Sequence, residues 1–204
     1  MIDDLPPRKG EEVLRCMEKA IDAHTNYMIC MGRGSGKTCY SLITTIYAIA
    51  TGRQRFAVII SNSSQSAAGL MDDIFKYISD PDTPFAKDYP NISLPFILCG
   101  GSFRRRQSYN DRPTDIVKNS KQIVIASITK DGKKLPASGA TIAIRGISSG
   151  IRGLKKGTMR PTLVLLDDLQ TSEIAMNPES VSKLLGTIKK DVMPLAGKER
   201  LSII

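Results

Sequence analysis

The residues best suited to chemistry are a lysine and a threonine behind a glycine-rich run, and two acids that close an apolar run. Residues 32–38 read Gly-Arg-Gly-Ser-Gly-Lys-Thr, and residues 163–168 read Leu-Val-Leu-Leu-Asp-Asp. Gly32, Gly34 and Gly36 let the backbone take positive φ and approach a ligand closely. Successive N–H groups of such a turn point into one concavity, beside the N-terminus of the helix that should follow. Both features favour an anion. Lys37 then reaches the β- and γ-phosphates of a nucleotide as a mobile point charge, and Thr38 offers a hydroxyl to Mg²⁺. The expected ligand is Mg-ATP, held by Gly32, Arg33, Gly34, Ser35, Gly36, Lys37 and Thr38. The usual phosphate-loop pattern, G-x-x-x-x-G-K-S/T, has its first glycine where this chain has Met31. A chance glycine-rich turn is the competing reading, and the expected flanking strand and helix weigh against it.

An apolar strand ending in acids sets one carboxylate to hold Mg²⁺ and the next to orient or deprotonate an attacking water. Asp167 is assigned to the metal and Asp168 to the water. Many strands end in acidic turns, so the pattern gains its weight from following the loop with a strand-helix region between. Two arginines are further candidates. Arg33, inside the loop, contacts phosphate, senses the γ-phosphate or points to solvent. Arg152, between Gly150 and Gly153, sits in an exposed-turn pattern. It is either a finger that offsets charge in the transition state or a surface arginine.

These residues need elements to hold them. Tyr27 to Met31 is a short apolar run, expected as a buried strand feeding the loop. Thr38 to Ala50 carries Leu42, Ile43, Ile46 and Ile49 at helical spacing. Helices are also expected at Glu11 to Ala23, Gln65 to Ile78 and Val181 to Val192. Strands are expected at Phe56 to Ile60, Gln122 to Ile128, Ala140 to Ile144, Leu163 to Leu166 and Leu201 to Ile204. Residues 80–114, with five prolines and the run Arg104-Arg105-Arg106, read as loops with one short strand near Phe96 to Cys99. Alternating strands and helices predict an α/β fold with a mostly parallel sheet.

The 204 residues suit one α/β domain, or one domain with an appendage. A formal net charge of +9 favours a polyanionic partner, or describes an ordinary basic surface. With no Trp and 5% aromatic residues, a stacking platform for single strands is thinly supplied. Cys16, Cys30, Cys39 and Cys99 form no CxxC pair and His24 is the sole histidine, so a zinc site is not expected. The thiols suit a reducing, cytosol-like compartment. No secretory signal and no membrane span is expected.

Taken in order, these pieces resemble the ATPase domain of phage terminase large subunits, the motors that package viral DNA. GRGSGKT is similar to that family's variant phosphate loop, with an arginine among the glycines. Val58 to Ala67 is similar to the strand and polar turn that follow. Gly139 to Gln170 resembles the glycine-flanked IRG, the Arg-Pro step and the acidic strand end, and Asn177 to Leu185 the segment leading to the coupling strand. The resemblance implies a P-loop NTPase of the additional-strand type, with helices on both faces of the sheet, filling residues 1–204. It implies a ring of copies on a viral portal, duplex DNA in the channel, a small terminase subunit as partner, and the host bacterial cytoplasm as location. Arg152 matches a finger position, in cis or on a neighbour's ATP, and Asp167 the metal-side acid. Asp168 falls where many members have glutamate, one methylene longer; Glu173 is a conceivable substitute. Lys155, Lys156, Arg160 and Arg104 to Arg106 are candidate DNA or subunit contacts. The family's second, nuclease domain has no counterpart within residues 1–204. Two other readings stand beside this one: a helicase-like motor, and an ATP-binding fragment with little turnover of its own.

Overall fold

The computed structural model describes residues 7–32, 34–103, 107–109, 112–130 and 133–204. Arg33 and Arg104 to Arg106 lie outside them. The strands, in chain order, are β1 (Phe56–Ser61), β2 (Ser108–Tyr109), β3 (Arg112–Pro113), β4 (Val117–Asn119), β5 (Gln122–Val124), β6 (Thr129–Lys130), β7 (Lys133–Lys134), β8 (Thr141–Gly146), β9 (Leu163–Asp167) and β10 (Ser202–Ile203). A central sheet has the order β10-β9-β1-β8-β5-β4. β10, β9, β1 and β8 run parallel, while β5 and β4 extend the far edge in antiparallel fashion. β2 with β3, and β6 with β7, form short separate hairpins.

Near-continuous apolar runs suit strands covered on both faces. Every residue of β1 is buried. Its side chains alternate between two cores, as the period of two requires. Ala57 and Ile59 point to one, with Ile142, Ile144, Leu163 and Leu165. Phe56, Val58 and Ile60 point to the other, with Ala143 and Val164.

The first core is roofed by α1 (Pro7–Asp22), α2 (Lys37–Ala50), α3 (Ser64–Ser79), α4 (Pro84–Asp88) and α5 (Pro90–Leu98). α2 is buried over most of its circumference, including Thr44 and Thr45. Their hydroxyls donate back to the carbonyls of Tyr40 and Ser41, each at 2.8 Å, so neither carries an unmet donor into the core. α3 starts at Ser63, whose side chain accepts from the Ser66 amide, and buries Ala67, Met71, Ile74 and Ile78 along one stripe. It seats close to β8 only because residue 146 is glycine: a Cβ there would lie 2.6 Å from the Ser64 nitrogen. On the second face, a π-helical turn (Ile188–Val192) and a 3₁₀ turn (Met193–Ala196) supply Val192 and Leu195, beside Ile151. The preceding helices α6 (Ser172–Met176) and α7 (Pro178–Thr187) bury no residue.

Three expectations are corrected. Residues 25–31 form no strand. They run beside β10, where the Tyr27 amide donates to the Ile203 carbonyl at 2.8 Å and the Asn26 side chain accepts from the Ile203 amide at 3.2 Å. β10 is two residues long, too short for a full ladder, and Met28 is 81% exposed. The expected strand at Phe96 to Cys99 is helical instead, ending α5. Pro84 and Pro90 start helices rather than break them, since the first turn needs no amide partner. Phe85, Ile92 and Phe96 are then buried, and Phe85 meets Tyr47 and Tyr89 at ring centroids of 5.5 and 5.2 Å. The helix expected to Val192 leaves α-geometry after Thr187.

Candidate functional site

The turn into α2 is built by its glycines. Gly34 and Gly36 both have φ of 78°, the left-handed region, where a residue with a Cβ pays about 1–2 kcal/mol. The Ser35 hydroxyl donates to the Gly32 carbonyl at 2.7 Å and closes the turn. The first bond of α2 runs from the Tyr40 amide to the Gly36 carbonyl at 3.0 Å. The amides ahead of it, at the positive end of the helix dipole, have no partner within the helix and suit an anion.

Lys37 opens α2 and arches back over the turn. Its ammonium donates to the Met31 carbonyl at 2.6 Å and the Gly32 carbonyl at 3.1 Å. Residue 31 therefore contributes backbone to this contact, which a methionine provides as well as a glycine. Thr38 is next, and its hydroxyl donates to Asp167 Oδ1 at 2.9 Å, across 129 residues of sequence. Asp167 ends β9, whose partners are β1 on one side and β10 on the other. The loop-helix junction and the acidic strand end thus meet at the carboxyl edge of the sheet.

Burial pushes the Asp167 carboxyl above its ordinary value; the Thr38 hydrogen bond pulls it down, Asp168 pushes it up and Lys37 pulls it down. A half-buried carboxylate in that balance gains from a cation. A hydroxyl and a carboxylate converging at hydrogen-bond distance are hard oxygen donors, the set that suits Mg²⁺. The residues present fit a Mg-nucleotide on this count, and on the left-handed glycines and mobile lysine beside them.

The other candidates are placed as follows. Asp168 is exposed and has φ of 46°, a left-handed turn that aspartate tolerates better than most residues. Arg152 is not brought to the loop. Its side chain is 72% exposed and its Nε pairs with Asp191 on the π-helical turn. Glu173 lies exposed in the first turn of α6. Lys156 donates to the Gly139 carbonyl at 3.1 Å and the Thr141 hydroxyl at 3.0 Å, so its ammonium braces β8. Lys155 and Arg160 are exposed. Asp191 is the residue that sequence reasoning missed, and no motif marks it. All four cysteines are unpaired. Among the described residues, no helix is long and apolar enough to cross a membrane.

No family model matches the chain, and no curated protein matches it. Among solved structures, it is similar to the large terminase ATPase domain of Thermus phage P74-26, at 17% identity over 87% of this chain, with a TM-score of 0.40. The chain spans 58% of the length of that structure.

Proposed function

We propose that this chain is a P-loop ATP hydrolase of the additional-strand type, and that it serves as the ATPase of a viral DNA-packaging motor, the terminase large subunit. The observation that carries the hydrolase reading is the 2.9 Å bond between Thr38 and Asp167, beside a lysine that caps its own glycine turn. The sheet supports the subtype: β10 stands between the segment feeding the loop and β9, which ends in the acids.

In this reading the loop amides and Lys37 bind the β- and γ-phosphates of ATP. Lys37 exchanges the Met31 and Gly32 carbonyls for phosphate oxygens, so binding rebuilds the loop's hydrogen bonds rather than merely adding to them. Thr38 and Asp167 would hold Mg²⁺, which when bound neutralises charge on the phosphoryl group being transferred. Asp168 orients the attacking water and accepts its proton. Arg152 supplies charge in the transition state from its own or a neighbouring subunit, after leaving Asp191.

The packaging reading rests on the resemblance of residues 139–170 and on the net charge of +9, which suits duplex DNA. Its setting would be a ring on a portal in the host cytoplasm, with a small terminase subunit as partner. The deciding experiment is phosphate release from Mg-ATP by the wild type and by Lys37→Ala, with and without duplex DNA. The expected result is a loss on the order of 10²–10³-fold in the variant, and stimulation of the wild type by duplex. Equal turnover by both proteins overturns the site assignment; turnover indifferent to duplex overturns the motor.

A further inference from the structure

A second concavity opens at the carboxyl edge of the sheet, on the far side of β1 from Asp167. It has a volume of about 330 Å³ and is lined by Lys121, Arg145, Ser64, Ser120 and Ser149, with Gly146 in its wall. It is distinct from the nucleotide site. Gly146 pairs with Ser61, which pairs with Asp167 on the other side, so two strand spacings, about 10 Å, separate the two positions.

Among the described residues, no carboxylate lines this cavity. Arg145 Nη1 donates to the carbonyls of Ile144, at 2.6 Å, and Lys121, at 3.3 Å, which fixes the guanidinium and leaves its other nitrogens to a ligand. Among the described residues, neither Arg145 nor Lys121 has an anionic partner within salt-bridge distance. Burial pushes the Arg145 guanidinium below its ordinary value, so its charge is held there at a cost that an anion would offset. Two cations and three serines around one open concavity suit a tetrahedral oxyanion with room for the groups attached to it. The bidentate fork of an arginine and the point charge of a lysine are its usual ligands.

We infer that the Lys121–Arg145 cavity binds a backbone phosphate of double-stranded DNA. This rests on the packaging reading above and gives that reading its contact point. The cavity faces solvent, as a backbone phosphate requires: Lys121 and Gly150 are exposed. Gly150 lines it and stands two residues before Arg152, on the same connecting segment. A phosphate seated against Gly150 therefore touches the segment that positions Arg152. The cavity thereby joins DNA engagement to the charge available for hydrolysis.

The test is binding of a fluorescein-labelled duplex to the full chain without nucleotide, by anisotropy over a range of salt. Lys121→Gln, Lys121→Glu and Arg145→Gln are compared with wild type and with Lys87→Gln, an exposed lysine of α4 outside the cavity. Lys121 makes no side-chain hydrogen bond or ion pair among the described residues, so its variants fold even if Arg145→Gln does not. Lys121→Gln is expected to reduce the slope of log K against log salt by about 0.9. Lys121→Glu weakens binding further, and Lys87→Gln leaves the slope unchanged. An unchanged slope for both Lys121 variants overturns the proposal. So does inorganic phosphate that protects the wild type, but not Lys121→Glu, against thermal unfolding while duplex binds both alike; the cavity then takes free phosphate. No nucleotide is present, so this outcome is read separately from the Lys37→Ala result.

Discussion

The bond between Thr38 and Asp167 can be tested without any turnover. Thr38→Val keeps the shape of the side chain and removes the hydroxyl that reaches Asp167 Oδ1 at 2.9 Å. A hydrogen bond to a charged group contributes about 1.5–3 kcal/mol, and a half-buried carboxylate is left short of a donor. At about 2–4 °C per kcal/mol for a chain of this size, the midpoint of unfolding should fall by roughly 3–12 °C. Asp167→Asn behaves oppositely. Its amide oxygen still accepts from Thr38, and no charge is buried. The folded-state carboxyl of Asp167 is raised, chiefly by burial, so the native state holds that proton more tightly than the unfolded chain does. Stability is lost as pH rises from the ordinary carboxylate range through the raised folded value. Asp167→Asn should therefore match or exceed wild type at neutral pH, and its advantage should shrink on acidification through that window. Thr38→Val removes a contact that pulls this carboxyl down, and should widen the window.

The double variant decides the matter. In the Asp167→Asn background the valine costs only a neutral hydrogen bond, about 0.5–1.5 kcal/mol, so the two changes should couple by about 1 kcal/mol. The assay is urea unfolding in the absence of nucleotide and Mg²⁺, followed by far-UV circular dichroism, because the chain has no Trp. Additivity within about 0.3–0.5 kcal/mol would show that the two side chains do not interact.

Two further outcomes follow. Gly146→Ala places a Cβ 2.6 Å from the Ser64 nitrogen and 2.8 Å from the Ser63 carbonyl carbon, both backbone atoms that cannot swing aside. It should cost about 1–3 kcal/mol and lower the midpoint by roughly 2–12 °C in a thermal scan; an unchanged midpoint refutes the close seating of α3 on β8. Mixing Arg152→Ala chains with Asp168→Asn chains should restore part of the phosphate release that each lacks alone, since a mixed interface holds one intact arginine and one intact acid. No recovery at any mixing ratio rules out action in trans.

Much of this arrangement was legible in sequence because burial is periodic. β1 and β9 read as apolar runs, β8 as the shorter run Ile142 to Ile144, and α3 as a stripe through Ala67, Met71, Ile74 and Ile78. Thr38 and Asp167 were legible because each is set by local pattern: a glycine turn opening a helix, and acids ending a buried strand. The failures have physical causes too. Tyr27 to Met31 is apolar yet lies along a two-residue strand, so hydrophobicity alone did not give it a ladder. The prolines of residues 80–98 mark helix starts, and only packing of Phe85, Ile92 and Phe96 distinguishes a start from a break. The Arg152–Asp191 pair spans 39 residues and two loops, with no pattern to announce it.

The parts of the proposed site differ in how firmly they are held, and the difference follows their tasks. Asp167 ends a strand packed on both faces and is itself paired with Ser61 of β1, so the proposed metal-side acid is held by the sheet. Thr38 is tied to it, which fixes the first turn of α2 against β9. Lys37 holds carbonyls of its own loop, the contact that phosphate oxygens would replace in the proposed site. Arg152 is held by one ion pair with its side chain 72% exposed. Pairs of that kind contribute about 0–1 kcal/mol. Releasing the arginine therefore costs about as much as thermal motion supplies, whereas displacing Asp167 would mean breaking the sheet. In the proposed motor, then, regulation should act on the 147–152 segment and the Arg152–Asp191 pair, not on the metal-side acid. Variants of Asp191 should alter how readily hydrolysis responds to DNA, while variants of Asp167 should abolish it.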